Sequence, residues 1–127
     1  MPRHDPSPQK LPLPLPLVLV VEDEPLQRVL AALYLEDRRF EVLQAATAAQ
    51  AIELLSANPR IGAVFSDIDM PGGMNGVGLA RWISRERPEL TVLLASGTAK
   101  PKDVAPWPFL AKPYSMREVE RRLRAAA

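Results

Sequence analysis

An α/β fold, a parallel β-sheet covered by helices on both faces, is the class this chain of 127 residues predicts. Three observations predict it. Short apolar runs alternate with segments whose apolar residues recur three and four positions apart, so strands and helices take turns along the chain. The first run, Leu17-Val18-Leu19-Val20-Val21, is apolar at every position, as in a strand buried on both faces. Acidic residues follow two of the runs directly, Glu22-Asp23-Glu24 and Asp67, and parallel sheets place their functional crevice beyond the carboxyl ends of the strands.

Each element has its own grounds. Leu17–Val21 is the first strand. Pro25 suits the first turn of a helix, and Leu26, Val29, Leu30 and Leu33 recur at helical spacing through about Asp37. Glu41–Ala45 reads as the second strand. Thr47 is a plausible N-cap for a helix carrying Ile52 and Leu55 on one side, and Asn58-Pro59 ends it. Ile61–Ser66 is the third strand and Met70–Gly76 a Pro/Gly-rich loop. The third helix turns Leu79, Ala80 and Ile83 inward and stops near Pro88. Thr91–Ala95 is the fourth strand. Gly97–Pro108 contains Pro101, Pro106 and Pro108 and has room for a turn or two of helix at most. Phe109–Ala111 is a short fifth strand. Ser115 caps a last helix with Met116, Val119, Leu123 and Ala126 in register.

Composition narrows the function. The length suits one domain, and 47% hydrophobic residues can fill its core. A net charge of +1 gives no global attraction to nucleic acid or anionic lipid, and neither is an expected partner. Without cysteine there is no disulfide and no thiolate zinc site, in keeping with a cytoplasmic setting. The lone histidine, His4, lies in a Pro-rich leader, so a histidine-based catalytic or metal site in the core is not expected. Residues 1–16 read as a flexible tail with polyproline-II character, and 17–127 as the domain. The apolar residues 11–21 are not a signal peptide: three prolines interrupt them, acid follows at once, and no small-residue cleavage site appears. They are also too short to span a bilayer.

Two strands that deliver carboxylates from their carboxyl ends suggest one shared cation site, and this points to phosphoryl transfer onto Asp67. A carboxylate attacks phosphorus to form an acyl phosphate. The approach of two anions needs neutralising charge, which Mg²⁺ supplies when held by one or two carboxylates. Ser96 and Lys112 also fall just past strand ends and offer a hydroxyl and a compact cation to phosphoryl oxygens.

The segments Val20-Val21-Glu22-Asp23-Glu24, Asp67-Ile68-Asp69-Met70-Pro71-Gly72, Leu93-Leu94-Ala95-Ser96-Gly97 and Lys112-Pro113-Tyr114, in this order, resemble the receiver domain of two-component response regulators over roughly residues 17–126. The resemblance implies a flavodoxin-like five-stranded sheet of order 2-1-3-4-5. It implies Asp67 as phosphoacceptor, with phosphohistidine on a histidine kinase or phosphotransfer protein as donor. Mg²⁺ would be held by Asp23 and Asp67, by Glu22 directly or through water, and by the backbone carbonyl of Asp69. Lys112 and Ser96 would bond phosphoryl oxygens, and Gly97 would leave room for the donor's imidazole. Ser96 and Phe109 would form the switch, the serine moving toward the phosphoryl group and the aromatic turning inward. A cis Lys112-Pro113 bond is implied as well. Output then passes through protein contacts to a downstream target, from a monomer or weak dimer that is not itself an enzyme.

Three features depart from the family's common pattern: the shortened fourth helix, one extra residue in Gly72–Gly76, and the Asp69 carboxylate near the phosphoryl site. Such departures are similar to those of a subgroup of stand-alone receivers. Asp69 is expected to alter metal affinity and phosphoryl lifetime, with no sign assigned. Two other functions compete. Asp67-Ile68-Asp69 after an apolar strand is similar to the nucleophile motif of haloacid-dehalogenase-type phosphatases, but that motif opens the first strand of its fold and leaves Glu22-Asp23 unexplained. A pseudo-receiver, folded but never phosphorylated, has no need of the full acid, Ser and Lys set.

Plainer roles suit other residues. Glu24 is expected only to complement the helix start. Trp82 is expected at the rim of the third helix, Trp107 over the sheet edge left by the short fourth helix or against a partner. Arg117, Arg121, Arg122 and Arg124, with Glu118 and Glu120 between them, read as a solvated helix face or a dock for an acidic partner.

Overall fold

The computed structural model describes residues 15–126, and the expected Pro-rich tail lies outside them except for Leu15 and Pro16. Five strands and five helices alternate: β1 Leu17–Val21, α1 Pro25–Asp37, β2 Glu41–Ala45, α2 Ala48–Ala57, β3 Ile61–Asp67, α3 Gly76–Glu86, β4 Thr91–Ser96, α4 Pro101–Val104, β5 Phe109–Ala111 and α5 Met116–Ala126. All pairings are parallel and the strand order is β2-β1-β3-β4-β5. The expected fold class and the short fourth helix are both present.

Two apolar layers sandwich the sheet. Alternate residues of β1 divide between them. Leu19 and Val21 point into the layer made with α2 and α3, with Leu55, Val64, Leu79, Ile83 and Leu94; Val18 and Val20 enter the layer with α1 and α5, with Leu35, Phe65, Leu93, Val119 and Leu123. This is why β1 is apolar at every position and buried throughout.

The apolar stripe that marks α1 in the sequence is not the face that packs on the sheet. Leu26, Val29, Leu30 and Leu33 are 64, 40, 56 and 56% exposed, while Ala31, Ala32 and Leu35 are buried. Both sets have the same helical spacing, and the alanines let the helix lie close to the sheet. Elsewhere the expected caps form: the Thr47 side chain accepts from Gln50 N at 3.1 Å and Ser115 Oγ from Glu118 N at 3.1 Å. Asn75, inside the expected loop, caps α3 by accepting from Gly78 N at 3.0 Å.

Arg87, just after α3, ties the lower end of the domain together. Its guanidinium donates to the carbonyls of Leu55 (2.8 Å), Pro59 (3.1 Å) and Ile61 (3.2 Å), around the end of α2 and the start of β3. Trp82, Trp107 and Phe109 are half-buried against the α2/α3 layer, which includes buried Val104 of α4, so Trp107 covers the core beside the short helix. The α5 face is laced internally. Arg121 and Arg122 pair with Glu118, and Arg124 lies 4.3 Å above the Phe40 ring and 3.6 Å from Glu120. That favours the solvated-face reading of these arginines. No helix among the described residues is long and apolar enough to cross a membrane.

Candidate functional site

The parallel ladders bring four strand ends to one edge of the sheet. Past β1, Glu22 N continues the ladder by donating to Ala45 O at 3.0 Å, and the Glu22 side chain turns in, accepting from Glu24 N at 3.1 Å. Arg28 Nη1 donates to the Glu22 carbonyl at 2.9 Å. Asp23 is half-buried beside it, and Glu24 caps α1 by accepting from Gln27 N at 3.0 Å, the plain role expected of it. At the end of β3, Asp67 is buried. Its backbone is fixed on both sides: Ile68 N donates to Ala95 O at 2.9 Å, and Gly76 N donates to Ile68 O at 3.0 Å. At the end of β4, Ser96 is buried, and its carbonyl accepts from Lys112 N at 2.9 Å, which sets the lysine just beyond β5. The Lys112-Pro113 bond is cis, as the resemblance implied; Ala105-Pro106 is cis too.

Glu22, Asp23 and Asp67 each present one carboxylate oxygen within 4.8 Å of the others. Lys112 Nζ stands 2.9 Å from Asp67 Oδ1. The two form an ion pair, and buried Oδ1 has no other partner among the described residues. A buried carboxylate oxygen in that condition is an incomplete environment. Burial pushes the Asp67 pKa above the usual carboxylate value, against the pull of Lys112 and with a further push from Asp69 and Asp23. Burial raises Glu22 as well, partly offset by the Glu24 amide and reinforced by Asp67. For Lys112, burial alone would lower the pKa; pairing with Asp67 and the nearby Glu22 charge outweigh it and hold the ammonium above its usual value.

Among the described residues these acids outnumber the cation paired with them, Lys112. A cluster of hard carboxylate oxygens suits a small divalent cation. Glu22, Asp23 and Asp67 face one another closely enough for one small ion to draw on all three carboxylates. The donor set therefore fits Mg²⁺.

The remaining expected site residues fall around this centre. Ser96 reaches Asp69: its Oγ donates to Asp69 Oδ2 at 2.7 Å. That contact was not foreseen, because the sequence suggested only the Asp69 backbone carbonyl and a nearby negative charge. Thr98, also not singled out, completes the cluster with Oγ1 at 3.5 Å from Asp69 Oδ1. Gly97 is exposed, and a methyl group there would meet Lys112 carbons only at 3.9–4.0 Å, so the entrance beside the lysine is open. Phe109 is half-buried on the α2/α3 side of the sheet. Tyr114, after Pro113, packs edge-on against Phe65 at 5.6 Å, and burial raises its pKa.

Known proteins are similar to this chain in sequence and fold. The sequence profile of the response regulator receiver domain matches residues 18–124. The chain is 32% identical over 108 residues to the sensor kinase CckA of Brucella abortus, covering 79% of this chain and 11% of that protein. It is 31% identical over 119 residues to a probable transcriptional regulatory protein of Picosynechococcus, covering 84% of this chain and 47% of that protein. The chain thus spans less than half the length of either relative. Among solved structures, a response regulator receiver protein from Pseudomonas putida superposes with a TM-score of 0.80 at 29% identity, covering 87% of this chain and 97% of that one. The receiver domain of the hybrid histidine kinase CckA gives 0.73 at 30% identity, covering 87% and 97%. The match, like the sheet order, sets aside the haloacid-dehalogenase alternative. The chain belongs to the response regulator receiver domain family of two-component signalling.

Proposed function

We propose that this chain is a phosphoacceptor switch in which Asp67 takes a phosphoryl group from phosphohistidine on a histidine kinase or a histidine phosphotransfer protein. The observation that carries this reading is the state of Asp67: a buried carboxylate at a strand end, 2.9 Å from the Lys112 ammonium and within reach of Glu22 and Asp23. A carboxylate oxygen attacks phosphorus, the P–N bond to imidazole breaks, and the departing ring nitrogen takes a proton. Asp23, Asp67 and the backbone carbonyl of Asp69, with Glu22 directly or through water, would hold Mg²⁺, which would supply positive charge to the phosphoryl oxygens. Lys112 moves from carboxylate to phosphoryl oxygen with little displacement, and the open surface at Gly97 admits the donor ring. Ser96 then bonds a phosphoryl oxygen and Phe109 turns inward, biasing the chain between two states read by a downstream protein. A cytoplasmic location suits this chemistry.

Incubation with acetyl phosphate and Mg²⁺, followed by intact-mass measurement, tests the reading. The expected result is a gain of one phosphoryl group, dependent on Mg²⁺ and absent in Asp67→Asn. An unchanged mass would favour a pseudo-receiver.

A further inference from the structure

We propose that Asp69 is a positioning residue that latches the Ser96 hydroxyl away from Asp67 and so opposes the switched state. The inference rests on the reading of Asp67 as phosphoryl acceptor and gives Asp69 a direction of effect. A serine hydroxyl has one proton and two acceptor lone pairs. At Ser96 all three are engaged. The proton goes to Asp69 Oδ2 at 2.7 Å, within the range of a charge-assisted bond, and the oxygen accepts from Thr98 N and Ala99 N, each at 3.0 Å. Ser96 is 1% exposed, so water does not compete readily for these positions. The Thr98 hydroxyl, 3.4 Å from Ser96 Oγ and 3.5 Å from Asp69 Oδ1, flanks the same pair.

A phosphoryl oxygen on Asp67 can receive the Ser96 proton only if Asp69 gives it up. Switching therefore exchanges one anionic acceptor for another, and the net gain is the difference between two similar bonds. A chain with a neutral residue at 69 would gain the whole bond. The two amide bonds tie residues 98 and 99 to the hydroxyl, so when Ser96 leaves Asp69 with both bonds kept, the start of the β4–α4 connection moves with it. The latch thus couples the phosphoryl site to the shortened α4 region through three residues of backbone.

The test uses beryllofluoride, a phosphoryl mimic, with saturating Mg²⁺ and ¹⁹F NMR to read bound ligand in the wild type, Asp69→Ala, Ser96→Ala and the double variant. Alanine at 69 keeps the backbone carbonyl. Asp69→Ala is expected to tighten beryllofluoride binding about tenfold, the order of one charge-assisted hydrogen bond. Most of that gain should vanish in the Ser96→Ala background, where only the loss of Asp69's charge remains. Equal gains in both backgrounds, or none in either, would overturn the latch. Without beryllofluoride, Asp69→Ala should also shift the amide resonances of Thr98 and Ala99; unmoved resonances would refute the contact even if wild-type binding is normal. A wild-type chain that binds no beryllofluoride while those amides still shift would instead fail the phosphoacceptor reading, and with it the latch's role in switching.

Discussion

Gly76 offers a sharp test of how the acceptor is held. It is the first residue of α3, and an added Cβ would stand 2.4 Å from Asp67 O and 2.7 Å from Ile68 Cα. Both obstacles are backbone, anchored by Ile68 N to Ala95 O and by Gly76 N to Ile68 O. The methyl group cannot be accommodated by a rotamer change, so either α3 or the end of β3 must move. Overpacking of this kind costs roughly 1–3 kcal/mol, and the rigid obstacles favour the upper half of that range. Alanine's better helix propensity returns up to about 1 kcal/mol, leaving about 2 kcal/mol net. For a folded unit of roughly 110 residues, 1 kcal/mol corresponds to about 4 °C, so Gly76→Ala should lower Tm by about 8 °C. The same displacement moves the Asp67 carboxylate, and acyl phosphate formation should slow by at least about tenfold. Gly73→Ala is the control: nothing lies within 4 Å of its added Cβ, and its Tm should stay within about 2 °C of the wild type. Differential scanning calorimetry on the three proteins decides. A Gly76→Ala protein that melts with the wild type would refute the close packing of α3 on the acceptor strand.

Other consequences follow from particular contacts. Glu22 and Asp67 have folded pKa values raised above 4.5 and 3.8, so the stability they contribute is fully present below those values and is lost as pH rises through the raised ones. In EDTA, thermal melts should therefore show Glu22→Gln more stable than wild type near pH 7 and the difference shrinking toward pH 4, while added Mg²⁺ stabilises the wild type more. Arg87→Ala leaves three carbonyls without their donor and should cost about 1–3 kcal/mol in urea unfolding, with Asp67 phosphorylation unaffected because the contact is at the opposite end of the sheet. On α1, Leu35→Ala should cost about 2–5 kcal/mol, whereas Leu30→Ser should change stability by no more than about 0.5 kcal/mol; the reverse order would restore the stripe the sequence suggested.

That stripe shows where sequence reasoning runs out. The strands were legible because a parallel sheet buried on both faces demands continuous apolar runs, and Leu17–Val21 and Ala63-Val64-Phe65 supply them. The acids, Ser96 and Lys112 were legible because the carboxyl ends of such strands share one edge. On α1, two stripes share the spacing of i, i+3, i+4 and i+7, one through Leu26, Val29, Leu30 and Leu33 and the other through Arg28, Ala31, Ala32 and Leu35. Side-chain size, not hydropathy, selects between them, since alanine permits closer approach to the sheet. The Arg87 contacts and the bond from Ser96 to Asp69 join residues 26–32 and 27 positions apart. No local pattern marks such pairs; only the fold brings them together. The N-cap at Asn75 was within reach of sequence, but the glycines and proline around it read more strongly as loop.

The most direct check on the account is the position of the phosphoryl group itself. Protein loaded from a phosphohistidine donor with Mg²⁺ can be reduced with borohydride, which converts an acyl phosphate of aspartate to homoserine, and then digested and sequenced by mass spectrometry. Homoserine is expected at residue 67 alone. Homoserine at Asp23 or Asp69, or none anywhere in a chain that has gained a phosphoryl group, would contradict it.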